Sequence, residues 1–456
     1  MSLDSKLQKF AVDELSKLVR IPSISFPGFD PKHVEKSGEA TAELLKRVGF
    51  QNIQLKKVDE CFPYVVGEII VDKKLPTALL YAHHDVQPPG REEIWKTAPF
   101  EPTLKDGRLY GRGTADDKAG ILVHAAAAEY YKSYVNSSAM PMNLKVIIEG
   151  EEEIGSSHLL EFLKQNQTQL QSDVIIVTDT ANIDCGVPSL TVSLRGLVVV
   201  DVDVRSLKAP LHSGMWGGGV VDPVQVLVKM LAALTDKSGN ILLPSIKPSL
   251  QRKLEIPVGK EIFAKQAGVL KENSVSDNFW HRIWYEPSLS INAIQASSEK
   301  LANNVICDRA FARVGIRVTK SESGEQISKE LVEKLKNLCK EISNDSVELH
   351  LHAHSPSNAW ETDPNSKQNA WAFRAADQAL QKAFGRKSVN IGCGGSIPFI
   401  GPFEKALEAP VITLGVEDPF TLAHSENESL GLDDFYKAIE AEIEMFQTLA
   451  AAFKSR

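Results

Sequence analysis

The stretch Leu79–Pro89, LLYAHHDVQPP, most constrains how this chain can fold, because a run of apolar residues ends abruptly in two histidines and an aspartate. The apolar part reads as a buried parallel strand and the polar part as its exposed C-terminal end. In open α/β sheets such ends face the crevice where ligands bind. A histidine with a carboxylate two residues on suits a metal, since one imidazole nitrogen ligates and the carboxylate holds the other. The triplet by itself also fits ordinary core or surface histidines. It leaves open which of His83 and His84 faces a metal.

Three later stretches repeat this logic. LYGRGTADDKAG leads into a strongly helical AGILVHAAAAEYYKSY, with Asp116 and Asp117 at the helix start, where helix capping is the plain alternative. In NLKVIIEGEEEIGSSH the buried strand Leu144–Ile148 runs into Glu149, Glu151, Glu152 and Glu153. Carboxylates this crowded repel and need solvent or a cation to compensate; a solvated acidic loop is the bland reading. A fourth strand, Asp173–Val177, ends at Thr178-Asp179. The βαβ-like succession places these groups along one sheet edge.

The segments before and after give the organisation. Leu7, Ala11, Leu15 and Leu18 repeat at helical spacing up to Pro22, and a second helix runs from Ala40 to Val48. Strands are expected at Tyr64–Val71 and Thr77–Tyr81. After Cys185 the alternation in Ser189–Arg205 has the period of antiparallel strands, and LKAPLHSGMWGGGVVDP follows as a glycine-rich loop before a helix over Val224–Leu234. Strand-like Ser288–Ile294 and Ala310–Val318, a helix over Gln326–Ile342, and VELHLHAH suggest an α+β lid. From Lys367 the α/β rhythm returns. The expected fold is an α/β catalytic domain, with a mixed, mostly parallel sheet flanked by helices, built from residues 1–186 and 358–456, and an inserted α+β unit over 187–357.

Composition narrows the partners. A net charge of -8 with both signs interspersed argues against nucleic acid or an anionic membrane as main partner. The N-terminus lacks an apolar signal-like run, and nowhere do 18 apolar residues run together, so neither a signal peptide nor a membrane span is expected. Five widely spaced cysteines without a CxxC pair suit reduced thiols in a cytoplasm.

Read jointly, His83, Asp116, Glu152-Glu153, Asp179 and the late His424 in TLAHSENE supply two imidazoles and several carboxylates. Two metal ions about 3.5–4 Å apart need such a set: one imidazole and one carboxylate each, one carboxylate shared. A spare carboxylate beside a ligand is the natural general base.

The motifs LLYAHHDVQP, GRGTADDKAG, EGEEEIGS, VTDT, PLHSGMWGG, YEPSLSINAI, NNVICDRAFARVGIRV, CGGSIP and LAHSENE, in this order, resemble the co-catalytic zinc metallopeptidases. That family includes carnosinase, cytosolic nonspecific dipeptidase, glutamate carboxypeptidase, aminoacylase and succinyl-diaminopimelate desuccinylase; HHDVQP with PLHSG is nearest its dipeptidase branch. The resemblance implies metal-dependent hydrolysis of dipeptides by a homodimer whose inserted unit is lid and dimerisation domain. It implies His83 and Asp179 as ligands of one metal, Glu153 and His424 of the second, and Asp116 as the bridge. Asp85 would orient His83, Glu152 would be the general base, and Asp117 would be structural. His212 would stabilise the oxyanion from the partner subunit. Arg317 would bind the substrate's terminal carboxylate, and Asn304, Ser396, Gly395 and His354, or else His352, would contact substrate. The implied cofactors are two divalent ions per subunit, zinc first, with manganese or cobalt as alternatives. Cys307 and Cys393 depart from the family's usual Pro and acidic or aromatic residue and bear on specificity. Two rivals share the ligands: an N-acyl amino acid deacylase or desuccinylase, and a noncatalytic metal-binding scaffold, against which the intact Glu152 argues. His124 and His158 are expected as packing or surface residues.

Overall fold

The computed structural model describes residues 3–456 apart from 248, 250 and 396–399. Its centre is a nine-stranded sheet in the order Gln51–Lys56, Tyr64–Ile69, Asn143–Glu149, Thr77–His83, Val174–Ala181, Val411–Glu417, Ser189–Leu194 and Trp360–Glu361, with Val389–Cys393 also paired to Ser189–Leu194. The four middle strands, from Asn143–Glu149 to Val411–Glu417, run parallel, and their apolar residues are buried on both faces. Helices Ser5–Val19, Lys118–Tyr130, Ala370–Phe384 and Leu432–Lys454 cover one face; Leu159–Leu170 and Ile400–Leu407 cover the other. Lys118–Tyr130 carries Ala125 to Ala128, all buried, so the helix packs close to the strands above it.

The chain leaves this sheet after Leu194 and builds a second, antiparallel sheet in the order Ser288–Gln295, Arg309–Val318, Gly196–Arg205, Glu348–Ala353. Strict alternation along Gly196–Arg205 buries Val198, Val200, Val202 and Val204 under helices Pro223–Ala232 and Gly324–Ser343. At about 1.5–3 kcal/mol for each fully buried side chain, that one row is a major part of the lid's core. Arg313, Arg317, Asp201 and Asp203 stand on the opposite face.

Several sequence expectations shift. Ser189–Leu194, grouped by its alternation with the inserted unit, pairs in the large sheet. Val174–Ala181 runs on through Thr178-Asp179 rather than ending there, because Gly415 and Glu417 extend the ladder beside it. Helix Lys32–Arg47 begins a full two turns before Ala40; its buried face includes Ser37, Gly38 and Thr41, which no hydrophobic pattern reveals. Helices Lys260–Ala267 and Phe279–Tyr285 are too short to show a period, and Phe263, Phe279, Trp280 and Trp284 hold them together as an aromatic cluster.

Candidate metal centre

Each parallel strand of the middle sheet delivers its polar group at its C-terminal end. His83 closes its strand fully buried, with Nε2 3.0 Å from Asp116 Oδ1 and 3.9 Å from Asp179 Oδ1. Asp116 turns its other oxygen, Oδ2, to His424 Nε2 at 2.9 Å, and Glu153 Oε2 lies 3.3 Å from the same nitrogen. Thus His83, Asp116 and Asp179 form one cluster and Asp116, Glu153 and His424 a second, each with ligand atoms within 4.8 Å of one another. The five residues proposed as ligands meet here, with Asp116 common to both groups.

The two opening histidines face different ways. His84 points away from the carboxylates and donates through Nε2 to the Pro63 carbonyl at 2.9 Å; burial lowers its pKa to about 4. Asp85 sits behind His83, 3.4 Å from Nδ1. Its carboxylate also accepts from Ser25 Oγ at 2.7 Å and from the main-chain N–H groups of Glu152 at 3.2 Å and Glu153 at 3.1 Å. One buried aspartate therefore fixes both the imidazole and the loop that carries Glu152. Gln87 holds Glu153 through its main-chain N–H at 3.0 Å and its side-chain amide at 2.6 Å.

Asp117 occupies the N-cap position of Lys118–Tyr130, yet its carboxylate accepts from the His83 N–H at 3.3 Å rather than from the helix. Capping does not explain either aspartate. Lys118 is buried and donates to the carbonyls of Leu18 and Ile21 at 2.9 and 2.8 Å, and burial lowers its pKa to about 7. The sequence reading missed Glu428. Fully buried, it pairs with Arg112 at 2.7 Å and accepts from the N–H groups of Gly113, Ala115 and Asp116 at 2.9, 3.0 and 3.2 Å, which locks the loop that presents Asp116. Only its place in HSENE, close to His424, hinted at it.

Electrostatics favours a cation. Burial raises Glu153 and Asp179 well above the ordinary carboxylate range and pushes Glu152 up to about 7, with His83 opposing and Asp116 and Asp85 reinforcing the rise in Glu152. Asp116 stays low despite burial because His424 and His83 both bond to it. Two imidazoles and three carboxylates, with Asp116 common to both clusters, are donors that suit zinc, manganese or cobalt. His83, Asp116 and Asp179 would hold one ion, and Asp116, Glu153 and His424 the other.

A cleft of about 880 Å³ separates this centre from the lid. Glu152, Glu153 and His424 line one side; Arg317, Arg313, Gly315 and His354 line the other, and Gly395 borders it. The Gly395 N–H donates to Cys393 Sγ at 3.3 Å. His212 and Asn304 lie elsewhere, exposed, on a two-stranded ribbon that pairs Leu211–His212 with Val305–Ile306. Within one chain they are not brought to the cleft. Ser396 lies outside the described residues. Glu151 holds Tyr64 Oη at 3.0 Å and the His158 N–H at 2.9 Å, and His124 is buried against Glu442 at 2.7 Å, so these groups are structural.

Residues 79–448 match the model of peptidase family M20/M25/M40. The chain is 30% identical to the Cys-Gly metallodipeptidase dug1 of Schizosaccharomyces pombe over 464 residues, covering 96% of this chain and 95% of that one. It is 29% identical to the cysteinylglycine-S-conjugate dipeptidase of Corynebacterium striatum over 444 residues, 95% and 94% of the two chains. The solved structure of the di-peptidase Dug1p of Saccharomyces cerevisiae superposes with a TM-score of 0.86 at 26% identity over 98% of this chain and 97% of that one. A match of this extent, on a chain whose carboxylates and imidazoles gather around one shared aspartate, makes this protein a member of peptidase family M20/M25/M40.

Proposed function

We propose that this chain is a metallo-dipeptidase that uses two divalent ions, zinc first among them, and Glu152 as general base. The observation that carries the reading is Asp116, which turns one oxygen to each of two imidazoles while Glu152 stands beside both clusters at the cleft. The dipeptidase names of its full-length relatives support the substrate class. Bound ions would polarise the scissile carbonyl and make water acidic. Glu152 takes the proton of the attacking water and returns one to the leaving amine, a role to which a raised pKa is suited. Arg317, on the lid side, binds the substrate's terminal carboxylate as a bidentate donor, and His354 and Gly395 approach the substrate from the cleft walls. Asn304 and Ser396 complete the substrate contacts in this reading.

His212 acts on the oxyanion of a partner subunit's substrate, in a homodimer formed through the inserted unit. Exposed Met215 and Leu301, 75% and 67% accessible near the His212–Asn304 ribbon, support an interface there. The catalytic unit comprises 1–186 and 358–456 together with the strand Ser189–Leu194. All five cysteines are unpaired, in keeping with a cytoplasmic enzyme. No described helix is long and apolar enough to cross a membrane.

The test is to strip metal with a chelator, restore zinc, manganese or cobalt singly, and compare a dipeptide panel with N-acyl amino acids. Dipeptide turnover that returns with metal is expected; preference for the acylated set overturns the assignment. Full activity in a monomer, read by sedimentation, would remove the shared His212.

A further inference from the structure

The face of the antiparallel sheet turned away from its helices carries a row of three histidines, of which His354 alone lines the cleft. Side chains two apart on a strand point the same way, about 7 Å apart along it. Glu348–Ala353 therefore sets His350 and His352 in one row, away from Leu349 and Leu351, which pack under the lid helices. His354 continues the row, since its N–H still bonds the Val199 carbonyl at 3.0 Å. The rings of His352 and His354 have closed to 4.7 Å between centroids, edge to face at 80°. Asp201 lies opposite His352 in the ladder and contacts His354 Nε2 at 3.0 Å.

These are the parts of a chelate. Two imidazoles this close can each bring a nitrogen to about 2.0–2.1 Å from one ion by side-chain rotation. A carboxylate on the other nitrogen of one ring is the usual support of a metal-bound histidine, since it fixes the tautomer. Asp201 is itself held by the Arg313 fork at 2.7 and 2.9 Å, so this support is already positioned. Imidazole donors select zinc, nickel or copper over calcium or magnesium.

We propose that His352 and His354, supported by Asp201, form a site for a divalent transition-metal ion, separate from the centre around Asp116. Because His354 also lines the cleft facing Glu152 and Glu153, an ion held there takes His354 away from the substrate. Metal in excess of the catalytic complement then inhibits the enzyme. This inhibitory consequence rests on the dipeptidase reading; the binding site does not.

The test compares the full-length protein with H352Q and H352A by equilibrium dialysis against zinc, followed by dipeptide assays over a zinc series. The wild type is expected to hold one zinc more than either variant. Inhibition by excess zinc, each protein scaled to its own maximum, is expected to need at least about tenfold more metal in the variants. Equal zinc content in the three proteins overturns the site. Loss of one zinc with an unchanged inhibition curve overturns the regulatory part. The dipeptidase reading fails separately, as absence of hydrolysis at every zinc concentration, and leaves the dialysis difference standing.

Discussion

The two walls of the cleft are built on opposite principles. On the large sheet, His83, Asp85, Asp116 and Glu153 are all less than 9% exposed, and partners hold each in direction: Asp85 behind His83, Gln87 behind Glu153, Glu428 behind the Asp116 loop. On the lid, Asp201, Arg313 and His354 also form a connected group, but the Arg313 side chain is 44% exposed and the group borders the open cleft. Buried charge must be paired and aimed, because an error there costs kilocalories, whereas solvent absorbs the same error on an open sheet face. On the large-sheet side buried partners thus aim the carboxylates, with only His424 open to solvent at 58% exposure, whereas on the antiparallel sheet the ion pairs stay open to adjustment.

The comparison breaks first at Glu152. E152Q should lower kcat by about 10³-fold or more while metal content measured by elemental analysis stays at the wild-type value, as expected of a carboxylate that serves proton transfer and not ligation. Activity within tenfold of wild type would move the base elsewhere.

Next in size is the buried support. R112M leaves Glu428 charged and unpaired in the interior, and should cost about 3–5 kcal/mol in denaturant unfolding. The Asp85 change acts on position rather than on charge balance alone. D85N should lower metal affinity or activity by about 10–100-fold, read by chelator competition. An effect confined to stability would reduce Asp85 to a structural residue.

A pH dependence sharpens the contrast in the interior. Burial works against protonation of His124, but Glu442 overcomes this and holds its pKa above the usual value. A raised folded-state pKa means the pair's stabilisation is fully present below the unfolded value of about 6.5 and is lost as pH rises through the folded-state value. H124Q should therefore destabilise the protein most on the acid side, and the wild-type and variant melting temperatures should converge on the alkaline side. A gap that does not change with pH would show that the pair is not ionised.

The smallest effect belongs to the lid. R313A should change unfolding free energy by less than about 1 kcal/mol, as expected of an exposed ion pair, while altering KM across the dipeptide panel more than kcat. A loss of several kcal/mol would place Arg313 with the buried groups of the large-sheet side.

Some of this was legible in the chain before any fold was known. The run into His83 and Asp85, and the carboxylates after Ile148 and Val177, pointed jointly to one sheet edge lined with metal-binding residue types, although each stretch alone also fitted a plainer reading. A second, antiparallel sheet was legible from a change of period. The family motifs supplied the site assignment, which periodicity could not. Other features stayed hidden for physical reasons. Glu428 is one acid among many in the sequence, and only the loop that wraps it makes it a buried anchor. Ser189–Leu194 alternates as a lid strand would, yet pairing with Val389–Cys393 draws it into the large sheet. Asp117 stood where a helix cap belongs.

Local pattern thus determined which residues end strands and which faces are apolar, since side-chain direction repeats with a fixed period. The family motifs already pointed to His83 over His84 and to Asp116 as the shared group; tertiary structure alone decided that Glu428 anchors the Asp116 loop, that Asp117 turns to the His83 N–H, and that His354 stands beside His352. Each of those depends on contacts between residues tens to hundreds of positions apart or on a few ångströms of placement, and nothing in the sequence pattern encodes distance.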